Sequence, residues 1–346
     1  MNNILQAQIK TTSQLWGANG ELWDTRGRLS DFSYAGYGGG NATKSDFTNI
    51  INVLDQGVIT NDGLSDIAAI DNIIKSAPDN SVIFFPAGRY IIDDWLSIER
   101  SNIVIRGVGD GPNGTVFYLP NSATDINGSR ESSYGAGDGG HVIEFNGRNR
   151  SNVTIITEQA LRTDKVIVVE DASELNQWDI IEISADGDNE TNGELWHEYF
   201  NNQTQNWPEP IRPWLSADGG SMFHTIEKIE GNRVTLREPL RLNLKPSWNL
   251  RIKKFRNAVT NVGIENIRIQ FFEIPRPDHF SEPGYNALGF RNTFNYWCDN
   301  ITIEHSDNGI LLTNSAYGEI ENIDIIGRSG HHALKVAYSA NNVLSN

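Results

Sequence analysis

The sequence holds a single cysteine, Cys298, in 346 residues. One thiol closes no loop, so no disulfide framework staples this chain. A chain of this length buries enough surface to fold without bridges, so the shortage does not argue against export. No run of about 18 apolar residues occurs, which excludes a membrane span. Met1 to Leu5 lacks a basic segment followed by an apolar one, so no signal peptide is read there. If the protein is exported, that signal has been removed. Long amphipathic helices are missing. The glycine runs Gly38–Gly40 and Gly135–Gly140 carry no Lys-Ser/Thr and open no helix, which leaves nucleotide binding unsupported. Neither a Gly-X-Ser-X-Gly elbow nor a zinc-ligand spacing is present. Basic residues are also short: 28 Lys and Arg stand against 44 Asp and Glu, a net charge of −16. Such a surface repels a phosphate backbone, so nucleic acid is excluded as a general partner.

What is present is apolar and aromatic enough to fold, at 38% hydrophobic and 10% aromatic residues. That composition excludes a disordered chain. Short strands and turns dominate. The one good helical stretch runs from Ser65 to Ser76, with Ile67, Ile70, Ile73 and Ile74 at helical spacing, Ser65 or Asp66 as N-cap and Pro78 beyond its end. Strands follow at Ser81–Phe85, Arg89–Ile92 and Asn102–Gly107.

The last third carries a weak repeat. Asn266, Asn300, Asn322 and Asn342 each precede an apolar/polar alternation, at spacings of 34, 22 and 20 residues. A period near 20 with short alternating strands is what a parallel β-solenoid requires. The longer first spacing fits one turn plus a loop containing Pro275, Pro277 and Pro283. The repeated Asn suits a bend, where it tolerates a left-handed backbone and hydrogen-bonds to its counterpart on the neighbouring coil. An antiparallel β-sandwich with coincidental Asn spacing is the alternative. Residues 152–252 read differently. Strands at Lys165–Val169 and Trp178–Ile183, and a hairpin around Glu230-Gly231-Asn232, suggest a small β-subdomain inserted into the solenoid.

Two segments resemble the pectate-lyase-like right-handed parallel β-helix superfamily. Asn61–Ile70 followed by Val82–Tyr90 is similar to its opening signature, in which a short helix plugs the end of the solenoid; the family usually has Asp where Ile67 stands. Leu29–Tyr37 resembles the leader of bacterial polysaccharide-degrading members. The resemblance implies an all-β fold: a right-handed parallel β-helix with an N-terminal capping helix. The expected organisation is a leader (1–50), capping helix and first coils (51–151), the inserted β-subdomain (152–252) and further coils (253–346). No capping segment follows the last rung, so the expectation is a fragment, or an end covered by another chain.

On such a fold a glycan lies along an outer groove across several coils. The candidate catalytic residues are His331, His332 and Lys335, with Glu304 and Asp307 one rung earlier. Histidine supplies a proton-transfer group, and a stacked carboxylate orients it. Within a strand, His331 and His332 would face opposite ways. Substrate-binding candidates are Arg276, His279 and Tyr285 in the proline-rich loop, Arg328 and His305 at the rung ends, and Trp207 in a Trp-rich stretch. Asp186, Asp188 and Glu190 place oxygens at alternating positions, a weak calcium pattern without a full EF-hand loop. The resulting expectation is a secreted carbohydrate-active enzyme acting on a uronic-acid or sulfated polysaccharide. A β-eliminating lyase is slightly favoured. A glycoside hydrolase, which needs two carboxyl groups, and a non-catalytic glycan-binding β-helix remain alternatives.

Overall fold

The computed structural model describes residues 13–27, 29–40, 42–44, 46–128, 140–185, 195, 220–278 and 281–346. Most of them form a right-handed parallel β-helix. Its rungs begin with β1 (Asn49–Asn52) and the helix α1 (Ile67–Ser76). The next coil holds β2 (Ser81–Phe84), β3 (Gly88–Ile91) and β4 (Leu96–Ile98). Above it lie β5 (Ile103–Arg106), β6 (Thr115–Leu119), a short helix α2 (Ala123–Asn127) and β7 (Ile143–Asn146).

The chain then leaves the coils for a six-stranded antiparallel sheet. Its strands are β8 (Arg148–Ile155), β9 (Val166–Val168), β10 (Ile180–Ala185), β11 (Gly220–Glu230), β12 (Arg233–Leu236) and β13 (Leu250–Asn257), in the order β8-β13-β10-β11-β12-β9. Winding resumes with β14 (Val259–Phe271) and β15 (Asn286–Arg291), then β16 (Thr293–Glu304) and β17 (Asn308–Thr313). It continues through β18 (Ala316–Ile326) and β19 (His332–Ala337) to β20 (Val343–Ser345). Among the described residues no helix is long and apolar enough to cross a membrane.

Alternation decides which side chains enter the lumen. Ile267, Ile269 and Phe271 of β14 point inward, as do Ile301 and Ile303 of β16. Phe145 and Phe290 stack one coil apart with centroids 5.1 Å apart, and Phe290 lies 4.4 Å from Tyr296. Cys298 sits in this core, where burial pushes its thiol pKa well up and leaves it inert. Helix α1 closes the stack by burying Ile70, Ile73 and Ile74. Asp66 occupies its N-cap position, but its carboxylate accepts instead from the Ile91 N–H at 2.8 Å, pinning the helix to the first coil.

The asparagine positions do what a bend requires. Asn266, Asn300 and Asn322 have φ of 59°, 54° and 53°. The Asn300 amide donates to Asn266 Oδ1 at 2.8 Å, while Asn322 donates to Asp299 Oδ1. The fourth member is not Asn342. Pairing of Glu321 with Ser345 sets Asn346 over Asn322. Asn342 lies one bend earlier, accepting from the Gly318 N–H at 2.8 Å. The 20-residue spacing was therefore a coincidence of an Asn-rich turn.

The leader straps the outside. Trp297 lies flat over Gly263, where an added Cβ would come within 2.1 Å of its ring. Tyr37 meets that ring edge-on at 5.5 Å, and Phe47 packs beside it. The Gly36 N–H donates to Asn341 O and Lys44 pairs with Glu319 at 3.1 Å, so one strand of chain ties together several coils. The antiparallel sheet has a separate core, including Ile181, Ile226, Val234 and Trp248, and docks on the coils through Phe223, Phe255, Phe294 and Tyr317.

Candidate functional site

The outward positions of β6, β14 and β16 form the most developed polar strip. Parallel register sets Tyr118, Gln270 and Glu304 in one column and Val116, Arg268 and Thr302 in the next. Glu304 Oε2 accepts from Arg268 Nε at 3.0 Å, Arg268 Nη2 at 2.9 Å and Gln270 Nε2 at 2.8 Å. Burial by itself raises the pKa of this carboxyl. Hydrogen bonds from Arg268 and Gln270, with the charges of Arg268 and His305, outweigh it and hold Glu304 below the ordinary carboxylate range.

His305 follows at a tight bend with φ 64°, against Gly327. Its Nδ1 accepts the Arg328 N–H at 3.2 Å, so the neutral ring carries its proton on Nε2. That Nε2 lies 3.5 Å from Glu304 Oε1 and 3.9 Å from Glu273 Oε2. Two carboxylates thus flank one imidazole nitrogen. Glu304 is 17% exposed and fixed, whereas Glu273 is 75% exposed on the loop after β14. The Arg89 guanidinium covers the Tyr118 ring at 3.6 Å. Asp110 closes the strip's other edge, accepting from Thr302 Oγ1 at 2.7 Å.

Asp307 has a different task from the catalytic one expected of it. It is 0% exposed. Its Oδ2 accepts the N–H groups of Gly284 and Tyr285 at 2.9 and 2.8 Å, and its Oδ1 accepts from Arg328 Nη2 at 2.6 Å. Those bonds consume the carboxylate and anchor the loop that returns to β15. Arg328 in turn lies 5.5 Å over the Tyr285 ring. α2 backs the same loop, its Ala123 and Thr124 N–H groups donating to Gly284 O and Pro283 O.

The two histidines also differ from expectation. His331 precedes β19, so strand alternation does not separate it from His332, and their rings are 4.1 Å apart. His331 Nδ1 lies 3.6 Å from Glu282, a carboxylate 1% exposed. His332 extends a ladder: Asn308 donates to Asn286 Oδ1 at 2.7 Å, and His332 Nδ1 lies 3.2 Å from Asn308 Oδ1. Lys335 belongs to another face of the coil, in register with Leu311 on β17. Glu304 does not stack beneath His331, because β16 pairs Glu304 with Ile326. Arg276 is exposed and donates to Ser329 Oγ at 3.3 Å. His279, Trp207, Asp186, Asp188 and Glu190 lie outside the described residues, and so does the calcium pattern. Among the described residues, no cluster of three or more His, Cys, Asp or Glu is placed to hold a metal ion.

Arg268 and Gln270 were missed by sequence reasoning. The signal was available: the 34-residue step from Asn266 to Asn300 carries Gln270 onto Glu304.

Residues 50–206 match the family model described as Rhamnogalacturonase A/epimerase, pectate lyase-like. No curated protein matches the sequence. Among solved structures, the tailspike protein gp49 from Pseudomonas phage LKA1 is similar over 86% of this chain and 46% of its own, with TM-score 0.56 and 16% identity. The gp54 tailspike of Acinetobacter baumannii bacteriophage AP22, solved in complex with A. baumannii capsular saccharide, gives TM-score 0.43 and 12% identity over 84% of this chain and 51% of its own. An iota-carrageenase complexed to iota-carrageenan fragments gives 0.42 and 12% over 91% and 44%. The chain therefore spans about half the length of these proteins. The likeness to gp49 shows the fold, which is that of the pectate-lyase-like parallel β-helix proteins.

Proposed function

We propose that this chain acts outside the cell on an acidic polysaccharide laid across successive coils, and that it hydrolyses a glycosidic bond at Glu304. The observation that carries this reading is the pair of carboxylates, Glu304 and Glu273, on either side of His305 Nε2. A glycosidase needs one carboxylate ionised and a second carboxyl group to handle the leaving-group proton. Glu304, held ionised by Arg268 and Gln270, takes the first role as nucleophile or base. Glu273, free on its loop, takes the second. His305 orients both through its Nε2–H. Arg276, exposed beside Ser329, binds a carboxylate or sulfate of the polymer. The matched family model, which names polysaccharide-acting enzymes, supports the same class of substrate.

A β-elimination is the second reading. It is favoured by Arg276 lying against Ser329 in the segment that carries His331 and His332, which sets a charge neutraliser near two imidazoles. One experiment separates the two. The chain is incubated with uronic-acid and sulfated polysaccharides, and reducing ends and ultraviolet absorbance are followed together. Hydrolysis releases reducing ends alone, whereas elimination adds the absorbance of an unsaturated sugar. Binding with no cleavage of any polymer would replace both readings with a lectin-like one.

A further inference from the structure

A cleft of about 270 Å³ opens between the leader and the antiparallel sheet, and it shares no residue with the Glu304 strip. Trp23, Asp31 and Tyr34 line it from the leader, and Arg162, Lys165 and Arg241 from the segments before β9 and after β12. Three cations thus face one carboxylate in a protein of net charge −16. Asp31 is engaged elsewhere, its Oδ1 accepting from the N–H and Oγ of Ser33 at 2.9 and 2.6 Å. Arg162 Nη2 donates to Leu29 O at 2.9 Å, which fixes the guanidinium where leader and sheet meet. Arg241 bonds to Asn341, and burial lowers its pKa despite Tyr317, Glu238 and Asp31 nearby. A cation held out of water in this way gains when an anion arrives.

Two further features favour a ligand. The Trp23 indole N–H is buried and makes no hydrogen bond. Such a donor normally finds a partner, and one left over costs about 1–3 kcal/mol. Thr163, in the cleft wall, has φ of 81°, a conformation that a β-branched residue avoids. Strain of this kind gathers at ligand clamps. The aromatic faces of Trp23 and Tyr34 beside Lys165, whose Nζ lies 5.7 Å from the Tyr34 ring centre, suit a sugar ring that carries negative charge. The volume is just under the roughly 300–1,000 Å³ of pockets for drug-sized ligands, so it takes a single residue and not a long chain.

We infer that this cleft is a second glycan site, which holds one sugar residue bearing a carboxylate or sulfate between Arg162, Lys165 and Arg241. It is independent of the reaction proposed at Glu304, and its readout is binding.

Calorimetric titration of the full chain with glucuronate, glucose 6-sulfate, glucose and inorganic sulfate tests it. Both anionic sugars are expected to bind, with glucose and inorganic sulfate at least tenfold weaker. Lys165→Glu, at an exposed position, should weaken glucuronate at least tenfold with unchanged Tm. Trp23→Phe should weaken it several-fold, and Glu304→Gln should leave it intact. Absence of heat with both anionic sugars would overturn the inference, as would full affinity in both Lys165→Glu and Trp23→Phe. Inorganic sulfate binding as tightly as the sugars would overturn it too, since the cleft would then be a simple anion site. Loss of binding in Glu304→Gln would assign the affinity to the strip and not to the cleft.

Discussion

The coils and the inserted sheet bury comparable side chains by different rules. In the coils, each residue's environment is repeated one turn above and below, so Asn300 answers Asn266 and Phe290 answers Phe145. In the inserted sheet every contact is particular. Glu182, 1% exposed, is held by Arg150 at 3.1 Å and by Ser221 and Lys253; Glu238 is held by Arg237 and Tyr317. Stacking lines up outward groups without designing each meeting, which is how Arg268 and Gln270 come to share one carboxylate. The sheet instead relies on buried ion pairs, which add uniqueness more than stability.

The sharpest way to break this comparison is through activity. Glu304→Gln is expected to lower kcat by roughly 100- to 10,000-fold with little change in stability. The rate in wild type should hold to pH values below the ordinary carboxylate range, because Glu304 stays ionised there. A pH–rate profile together with Tm checks both points.

Stability comes next. Phe290→Ala removes a ring stacked on Phe145 and Tyr296, so a loss of about 3–5 kcal/mol is expected in urea unfolding. The loss should appear in the coil transition even if the inserted sheet melts separately.

The seam between the regions should respond to acid. His224 is buried, and desolvation lowers its pKa to about 4, with Arg241 also lowering it and Glu238 opposing. The unfolded chain takes up this proton near pH 6.5, before the folded one does. Stability is therefore lost as pH falls from about 6.5 to about 4, by about 3 kcal/mol from this group. His224→Asn should flatten that part of a stability–pH curve; an unchanged slope would place the acid sensitivity elsewhere.

The smallest effect tests the ladder. Asn300→Ala loses an inter-coil hydrogen bond and strains a bend at φ 54°, for about 1–2 kcal/mol. Asn300→Gly should recover part of it, because glycine accepts that backbone.

Much of the fold was legible because periodic positions announce themselves. The helix at Ile67–Ser76, the hairpin at Gly231 and the bends at Asn266, Asn300 and Asn322 all follow from local chemistry. The site was less legible because it depends on register. Glu304 stood out as a carboxylate, but its partners lie 34 and 36 residues earlier in the chain, across a loop of irregular length. Asp307 reads as a polar turn residue in sequence. Only the return of the 281–285 segment encloses it and turns its carboxylate into an anchor. His331 and His332 were separated by an alternation that does not begin until the strand does.

The step from β15 to β17, and from Phe294 of β16 to Ala316 of β18, is 22 residues. Excising 293–314 would let Asn292 run directly into Ser315, whose hydroxyl already meets the Thr293 N–H at 3.1 Å. The molecule can thus be shortened by a whole storey without rethreading its neighbours. Glu304 would leave with the removed floor, so length and chemistry are separable in the building plan but not at this level.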